Sequence, residues 1–313
     1  MGGTPMTYRT RWSRECRDGN EHKSPVPQGT RTWRLLRQLT AGVLAGCVVA
    51  AAGSAQTPDL LRVMQWNIHN TLGTDGVCNP DRTASTIAAQ NPHVVSLNEV
   101  KYFAGACSFT FDMSERLQSL LQAKTGVTWY RHYVRIGNNT WNVLLSRYPL
   151  VSSSSTLLSY DRGVAYVAIS VNGRTVHLFS THVEYYTAAW RTIQINEAIR
   201  WIQTFSEPRI VMGDFNTTPG TSDYSLAAAA YEDAWASARS AGLATSYNGT
   251  GNTHGGSRFD YVFYSRVAAL SLRSVDVPDT RVNGVQPSDH DPVIATFAVG
   301  AGLPPPSRLR VLR

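Results

Sequence analysis

Apolar positions along this chain fall into short runs. Leu61–Ile68, His93–Val100, Arg131–Ile136, Trp141–Ser146, Val164–Val171, Arg174–Thr181, Arg209–Met212, Phe259–Tyr264, Leu270–Val275 and Val293–Val299 are rich in β-branched and aromatic residues and read as strands. Asn172-Gly173 joins two of them as a tight hairpin, and Gly137-Asn138-Asn139 separates another pair. Helical spacing marks Pro80–Gln90, which Asn91-Pro92 stops, and Ser114–Lys124, with Leu117, Leu120 and Leu121 on one side. Ala188–Phe205 is amphipathic through Ile195, Ile199 and Ile202, and Ser222–Ala238 is partly helical. Strands of both hairpin and βαβ type alternating with a few helices predict an α/β layered sandwich with mixed sheets. No linker, repeat or second core interrupts residues 56–300, which are expected to form one domain. The tail from 301 to 313, with Pro304-Pro305-Pro306, is expected to be disordered.

Charge changes this picture little once it is divided along the chain. The net charge is +7, but residues 1–55 hold 8 Lys+Arg against 3 Asp+Glu, and residues 56–313 hold 21 against 19. The body is nearly neutral, so the basic excess is weak evidence for an anionic partner. The leader has an order of its own. Arg31, Arg34 and Arg37 precede an apolar run from Leu39 to Ala52, and Gly53-Ser54-Ala55 follows. That is the layout of a secretory signal cleaved near Ala55, so a secreted or periplasmic location is expected. Residues 1–30 are long for the front end of such a signal, and a start downstream of Met1 would shorten it. A retained membrane anchor and lipidation at Leu44-Ala45-Gly46-Cys47 are the alternatives. Cleavage leaves Cys78 and Cys107, which in an exported protein are expected to pair; two buried free thiols are the alternative.

The chemistry sits where apolar runs end. Gln65-Trp66-Asn67, Leu97-Asn98-Glu99, Met212-Gly213-Asp214-Phe215-Asn216 and Ser288-Asp289-His290-Asp291-Pro292 each deliver a carboxylate, carboxamide or imidazole at such a point. Hard oxygen ligands with a histidine–carboxylate pair are what metal-assisted attack on a phosphate ester needs. Taken singly, Asn67 or Glu99 reads as a residue capping a turn, and Asp214 with Asn216 reads as an Asx-turn. Gly213 would let the backbone bend close to a ligand. Asp260, inside the apolar strand Phe259–Tyr264, is costly unless paired. His290 is its natural partner, and Arg258 or Arg281 the alternative. His182, at the end of the hairpin, would face the same rim. His69, His93, His132 and His177 read as surface or cap residues, although His69 is near enough to Asn67 to reach the rim. Tyr185, Tyr186 and Trp190 read as helix packing, with an aromatic wall as the alternative. Gly249–Gly256 reads as a mobile rim, and it lacks the lysine of a phosphate-binding P-loop. A serine-hydrolase elbow and a His-Glu-x-x-His zinc motif are both absent.

Together with Asn142-Val143-Leu144-Leu145-Ser146-Arg147, Ser180-Thr181-His182 and Phe259-Asp260-Tyr261-Val262, these segments resemble the endonuclease/exonuclease/phosphatase superfamily, in its motif order and over nearly all of 60–299. That superfamily includes deoxyribonuclease I, abasic-site endonucleases, neutral sphingomyelinases and inositol polyphosphate 5-phosphatases. The resemblance implies a four-layered α/β sandwich of deoxyribonuclease I type, with two packed mixed sheets and the site at one edge. It implies a Mg²⁺ cofactor, with Mn²⁺ as a substitute, held by Glu99 with support from Asn67 and Asp289. His290, paired with Asp260, is implied as base or phosphate-orienting group. Asp214 would position or deprotonate the attacking water, Asn216 would hold the phosphate, and His182 would stabilise the pentacovalent phosphorus or assist the leaving group. The family leaves open whether the histidine or the Asp214-type carboxylate is the base. The chain has Asn98 where the family often has Gln before the ligand glutamate, and His182 resembles the deoxyribonuclease and sphingomyelinase branches. The expected substrate is a phosphodiester. Nucleic acid comes first, a membrane lipid or a small phosphate second, and a non-catalytic surface module last. The nearly neutral body argues against strong duplex binding, although Arg131, Arg135, Arg147 and Arg162 could form a local cationic patch. Nothing in the chain implies a protein partner, and a monomer is expected.

Overall fold

Along the first strand, β1 (Asp59–Asn67), Leu61 and Val63 enter one apolar cluster while Met64 and Trp66 enter another. Side chains alternate across a strand, so a strand apolar on both faces must lie between two layers. The computed structural model describes residues 59–101, 107, 109–137 and 139–302. The leader, with its cleavage, anchor and lipid-box readings, and residues 303–313 of the tail lie outside the described residues. After β1 come α1 (Pro80–Gln90), β2 (Val94–Lys101), α2 (Met113–Thr125), β3 (Tyr130–Ile136), β4 (Thr140–Ser146), β5 (Leu150–Leu158), β6 (Arg162–Val171) and β7 (Arg174–His182). Then follow α3 (Ala188–Ile202), β8 (Arg209–Asp214), α4 (Ser222–Ala230), β9 (Glu232–Asp233), α5 (Ala234–Ser240), β10 (Ala244–Ser246), β11 (Asp260–Tyr264), β12 (Leu270–Val277) and β13 (Val293–Val299).

The strands form two mixed sheets. One runs β10-β12-β13-β1-β2-β4-β3 and the other β5-β6-β7-β8-β11-β9. Leu61, Val63 and Val94 of the first meet Val167, Leu178, Ile210 and Met212 of the second in the central cluster. Trp66, Val95 and Leu97 face outward onto Ile87 of α1 and Leu117 and Leu121 of α2. Phe179 and Val211 face the other way onto Ile195, Ala198 and Ile202 of α3. The result is the expected four-layered α/β sandwich: helices, sheet, sheet, helices. β1 pairs with β13 so that Asp59 lies opposite Val299.

Local chemistry sets the helix ends. Asn79 caps α1 by accepting the Arg82 N–H, Pro80 occupies its first turn, and Asn91 closes it at φ 50°. Asp112 caps α2 in the same way. Cys78 and Cys107 are joined, with Cα atoms 5.6 Å apart. Three strands, β5, β9 and β10, have no signature in the apolar pattern. β5 is an edge strand of exposed serines, Ser152–Ser155, and β10 has three residues. The helical stretch 222–238 is broken at Tyr231 by β9. Ala301 and Gly302, counted with the tail, are held by the Arg174 guanidinium and the Asn172 carbonyl. No helix among the described residues is long and apolar enough to cross a membrane.

Toward one end of the sheets the apolar interior gives way to a buried polar layer. The Asn98 Oδ1 accepts from Gln65 Nε2 (2.7 Å) and from the Asp214 backbone N–H (3.0 Å). Its Nδ2 donates to Asn142 Oδ1 and to the Thr181 carbonyl, both at 3.0 Å. One carboxamide thus spends its full capacity on both sheets. The Ser96 and Ser180 hydroxyls meet across the same gap at 2.7 Å. Gly213, read from the sequence as room for a ligand, serves strand packing instead, because a Cβ there would strike the Thr181 carbonyl. Asn98→Ala strands these partners in a buried place and is expected to cost about 2–4 kcal/mol. The loss should read as a lower urea midpoint at unchanged slope; an unmoved midpoint would show that the layer does not hold the sheets in register.

Candidate active site

Registers assemble the rim. Asn67 lies beside Asn98 in the β1–β2 pairing, His182 beside Asp214 in β7–β8, and Asp260 opposite Asp214 in β8–β11. Glu99 follows Asn98 in a bulge, where the β2–β4 register shifts between Leu97 and Val100, and its φ is 56°. A bulge re-aims a side chain, here turning the carboxylate into the cleft. Asn216 has φ 47°, and the turn His69–Thr71 is left-handed throughout. Non-glycine residues in this region cost about 1–3 kcal/mol each and persist where surrounding structure enforces them.

The predicted residues come together. Glu99, His182, Asp214, Asn216, Asp289 and His290 line one cleft of about 660 Å³. Asn67 and Asp260 are buried directly behind them. The Asn67 amide donates to Glu99 Oε1 (3.1 Å) and Asp214 Oδ2 (3.0 Å), while its oxygen accepts the His69 N–H (3.1 Å). His290 Nδ1 donates to Asp260 Oδ2 at 2.7 Å, and its Nε2 points toward Asp214 Oδ2, 3.9 Å away. Asp260 Oδ1 accepts from Gln65. The arginine alternatives for Asp260 are used elsewhere: Arg258 pairs with Asp233 and Arg281 with Asp279. His182 Nε2 stands 3.5 Å from Asp214 Oδ2 and 3.0 Å from Asn216 Nδ2. Its Nδ1 is buried without a partner, and Nε2 is the nitrogen that faces Asp214 and Asn216. The Asx-turn is present as well, since Asp214 Oδ1 accepts the Asn216 N–H.

Burial and charge set the protonation states. Burial opposes the charged form of His290, but Asp260, by charge and hydrogen bond, with Asp214 and Asp289, outweighs it and pushes the imidazole up to about 10. Burial, and then the Asp260 charge, raises Asp214. Burial lowers His182 despite the Asp214 charge beside it. Burial alone would raise Glu99, yet His182, the Asn67 amide, His69 and His290 together hold it below the ordinary carboxylate range. The site therefore combines a cationic His290, a neutral His182 and an Asp214 with raised proton affinity.

Some placements differ from the sequence reading. His177 is buried, not a surface residue, held between the Tyr166 hydroxyl and Ser206. His69 does reach the rim, 3.5 Å from Asp289. The four arginines form no patch. Arg131 pairs with Asp112, Arg135 lies over the Trp141 ring and Arg147 over the Trp129 ring; among the four, Arg162 alone lines the cleft. Tyr185 and Trp190 line the cleft rather than packing a helix. The glycine-rich loop is tied by Asn248, whose side-chain oxygen accepts the Thr250 and Gly251 N–H groups. It carries a residue the sequence did not flag, His254. That ring stacks on His290 at 4.3 Å and 18°, and its Nδ1 donates to the Asp289 carbonyl. A histidine in an irregular loop leaves no periodic trace.

Glu99 and Asp289 present carboxylates to this cleft with no lysine or arginine partner among the described residues. Such an oxygen donor set fits a hard divalent cation. Asn67 keeps one oxygen lone pair beyond the His69 bond and steadies Glu99 from behind.

A family model described as "Endonuclease/Exonuclease/phosphatase family" matches residues 64–290. Among solved structures, an endonuclease/exonuclease/phosphatase from Beutenbergia cavernae is 25% identical at a TM-score of 0.61, over 77% of this chain and 72% of that one. The human Nocturnin catalytic domain, with a bound sulfate anion, is 23% identical at 0.61, over 77% and 97%. A mannosyl-6-phosphatase from Bacteroides thetaiotaomicron is 15% identical at 0.57, over 76% and 99%. No curated protein matches the chain. The last two show the shared fold alone.

The raised His290 value gives a signed expectation. It adds stability that is complete below pH about 6.5 and is lost as pH climbs through about 10. In metal-free protein the His290 ring should stay protonated past pH 8 by NMR, and Asp260→Asn should drop its titration toward 6.5. The stability gap between the two proteins should then narrow as pH rises; a gap independent of pH would mean that no such ion pair exists.

Proposed function

The chain belongs to the endonuclease/exonuclease/phosphatase family, whose members hydrolyse phosphoester bonds, and from that premise we propose that it is a secreted, Mg²⁺-dependent phosphodiesterase acting on nucleic acid. The observation that carries the chemistry is Asp214, buried between two imidazoles and open to the cleft through its neighbours. A carboxylate with raised proton affinity is better matched to taking a proton from water at neutral pH, so Asp214 is read as the base. His290, held cationic by Asp260, offers its Nε2–H to a phosphoryl oxygen. Charge held in place before the reaction is the efficient way to stabilise a transition state. Asn216 and His182 stand together on the other side of Asp214; the neutral His182 Nε2 accepts from the Asn216 amide and orients it to hold the phosphate. When bound at Glu99 and Asp289, a divalent cation supplies positive charge to the phosphoryl group.

Export is supported by the signal-like order of residues 31–55 and by the Cys78–Cys107 bridge, since disulfides persist in oxidising compartments. Nucleic acid is supported by the family's phosphodiester substrates and by the aromatic residues on the cleft.

The test is hydrolysis of plasmid DNA, single-stranded RNA, sphingomyelin and bis-p-nitrophenyl phosphate, each with Mg²⁺ and with EDTA. Metal-dependent cleavage of a nucleic acid is expected. Turnover of the lipid alone would move the substrate to membranes, and full activity in EDTA would overturn the metal assignment. Asp214→Asn is expected to lower kcat about 10²- to 10⁴-fold, the range for loss of a positioned base. Glu99→Ala should weaken the Mg²⁺ dependence itself, seen as a higher Mg²⁺ concentration at half-maximal rate.

A further inference from the structure

The hairpin joining β5 to β6 turns at Tyr160 and Asp161, both left-handed, with φ 58° and 56°. An aromatic residue in this region is strained, and the strain has a visible product. The Tyr160 ring lies flat on Trp190, in the first turn of α3, with centroids 4.3 Å apart and planes 8° from parallel. Both rings line the cleft that holds Asp214 and His290, yet Tyr160 is 44% and Trp190 37% exposed. This aromatic surface lies open beside reactive groups, in a protein that buries Trp66, Trp129, Trp141 and Trp235.

The pair is also fixed in place. Glu197 of α3 accepts the Ser159 N–H and hydroxyl at 2.8 and 2.7 Å, and Gln194 donates to the Ser159 carbonyl at 2.9 Å. The same Gln194 accepts the Glu184 N–H at 2.7 Å, two residues beyond His182. Hairpin tip, helix and catalytic strand are thus one hydrogen-bonded unit, so the rings are held before any ligand arrives.

What such a surface receives follows from its neighbours. The cations lining the cleft among the described residues are His290, which is paired with Asp260, Arg162, which is paired with Glu184 at 3.1 Å, and Lys101. A cleft this poor in free positive charge cannot take its affinity from a run of phosphates, since each phosphate contact normally needs a cation. Nor is Glu184 free to bind sugar hydroxyls, because it already accepts from Arg162 and the Tyr185 and Tyr186 N–H groups. Flat apolar faces with few free hydrogen-bonding groups suit a planar aromatic ring. Bases offer such a face only when they are out of the duplex stack. Building on the phosphodiesterase reading, we propose that Tyr160 and Trp190 form a stacking platform for an unpaired nucleobase of the strand whose phosphate lies at Asp214, His182 and His290.

The test separates this platform from the chemistry. Binding is measured with the full chain in EDTA, by fluorescence anisotropy. The probes are a labelled single-stranded oligonucleotide, its duplex and a same-length abasic strand, with mannose 6-phosphate as competitor. The single strand should bind more tightly than the other two, and Trp190→Ala should weaken it about tenfold or more, as expected for loss of one base stack. The abasic strand should be unaffected. Tyr160→Asn, which keeps a residue tolerant of the left-handed turn, should act in the same direction, and Trp190→Phe should restore most of the binding. In turnover the loss should fall on KM with kcat nearly kept. Equal weakening of the abasic strand, no preference for the single strand, or competition by mannose 6-phosphate that needs Trp190 would each overturn the proposal. If the oligonucleotide binds in this pattern but is not cleaved with Mg²⁺, the phosphodiesterase reading fails and the platform stands.

Discussion

A single buried carboxamide, that of Asn98, holds the two sheets in the one alignment the site requires. Apolar contacts between sheets are non-directional, and Leu61, Val63, Ile210 and Met212 would pack nearly as well after a small slide. Hydrogen bonds to Gln65, Asn142, the Thr181 carbonyl and the Asp214 N–H have no such freedom. A one-residue slip in any strand would send its rim residue to the opposite face, dissolving the cluster of Asn67, Glu99, His182 and Asp214. Asn98 reaches both sheets, and Gly213 permits the close pairing of β7 with β8 inside the second sheet.

The site built on that alignment is held under tension of two kinds. Glu99 and Asn216 occupy backbone conformations they would leave if unconstrained, and Asp214, Asp260 and Glu99 bring three carboxylates into a poorly solvated space. His290 and His182, with the Asn67 and Gln65 amides, offset that repulsion. Cationic charge in the middle of acidic groups is the arrangement to expect where a negatively charged phosphate must be accepted. Each group lowers the cost of keeping its neighbour.

Much of this was legible because strand ends have a signature. A buried strand is a continuous apolar run, and a polar residue at its end stands out, as with Asn67, Asp214 and His182. Asp260 was legible for a different reason: a carboxylate within an apolar strand demands a partner, and His290 met it. The silent parts share one property, that their role depends on contacts distant in sequence and not on local pattern. His254 lies in a glycine-rich loop and gains its role only by stacking on His290. β5 is a polar edge strand whose serines need no burial. The arginines looked like a patch in the sequence, but the fold puts Arg131 and Arg135 on β3, Arg147 just past β4 and Arg162 at the start of β6 in the other sheet. His177 looked superficial because its hydroxyl partners, Tyr166 and Ser206, are 11 and 29 residues away.

The pairing of β1 with β13 determines how the domain can be carried. Asp59 and Val299 sit side by side at one end of the sheet, while Asn67, at the other end of β1, is in the site. Nine residues of extended strand put about 26 Å between these poles. Gly302 stays at the far pole, bonded to the Asn172 turn. Entry and exit of the domain are thus adjacent and opposite the cleft. A tether joined at either end of the described domain would therefore attach on the side away from the cleft.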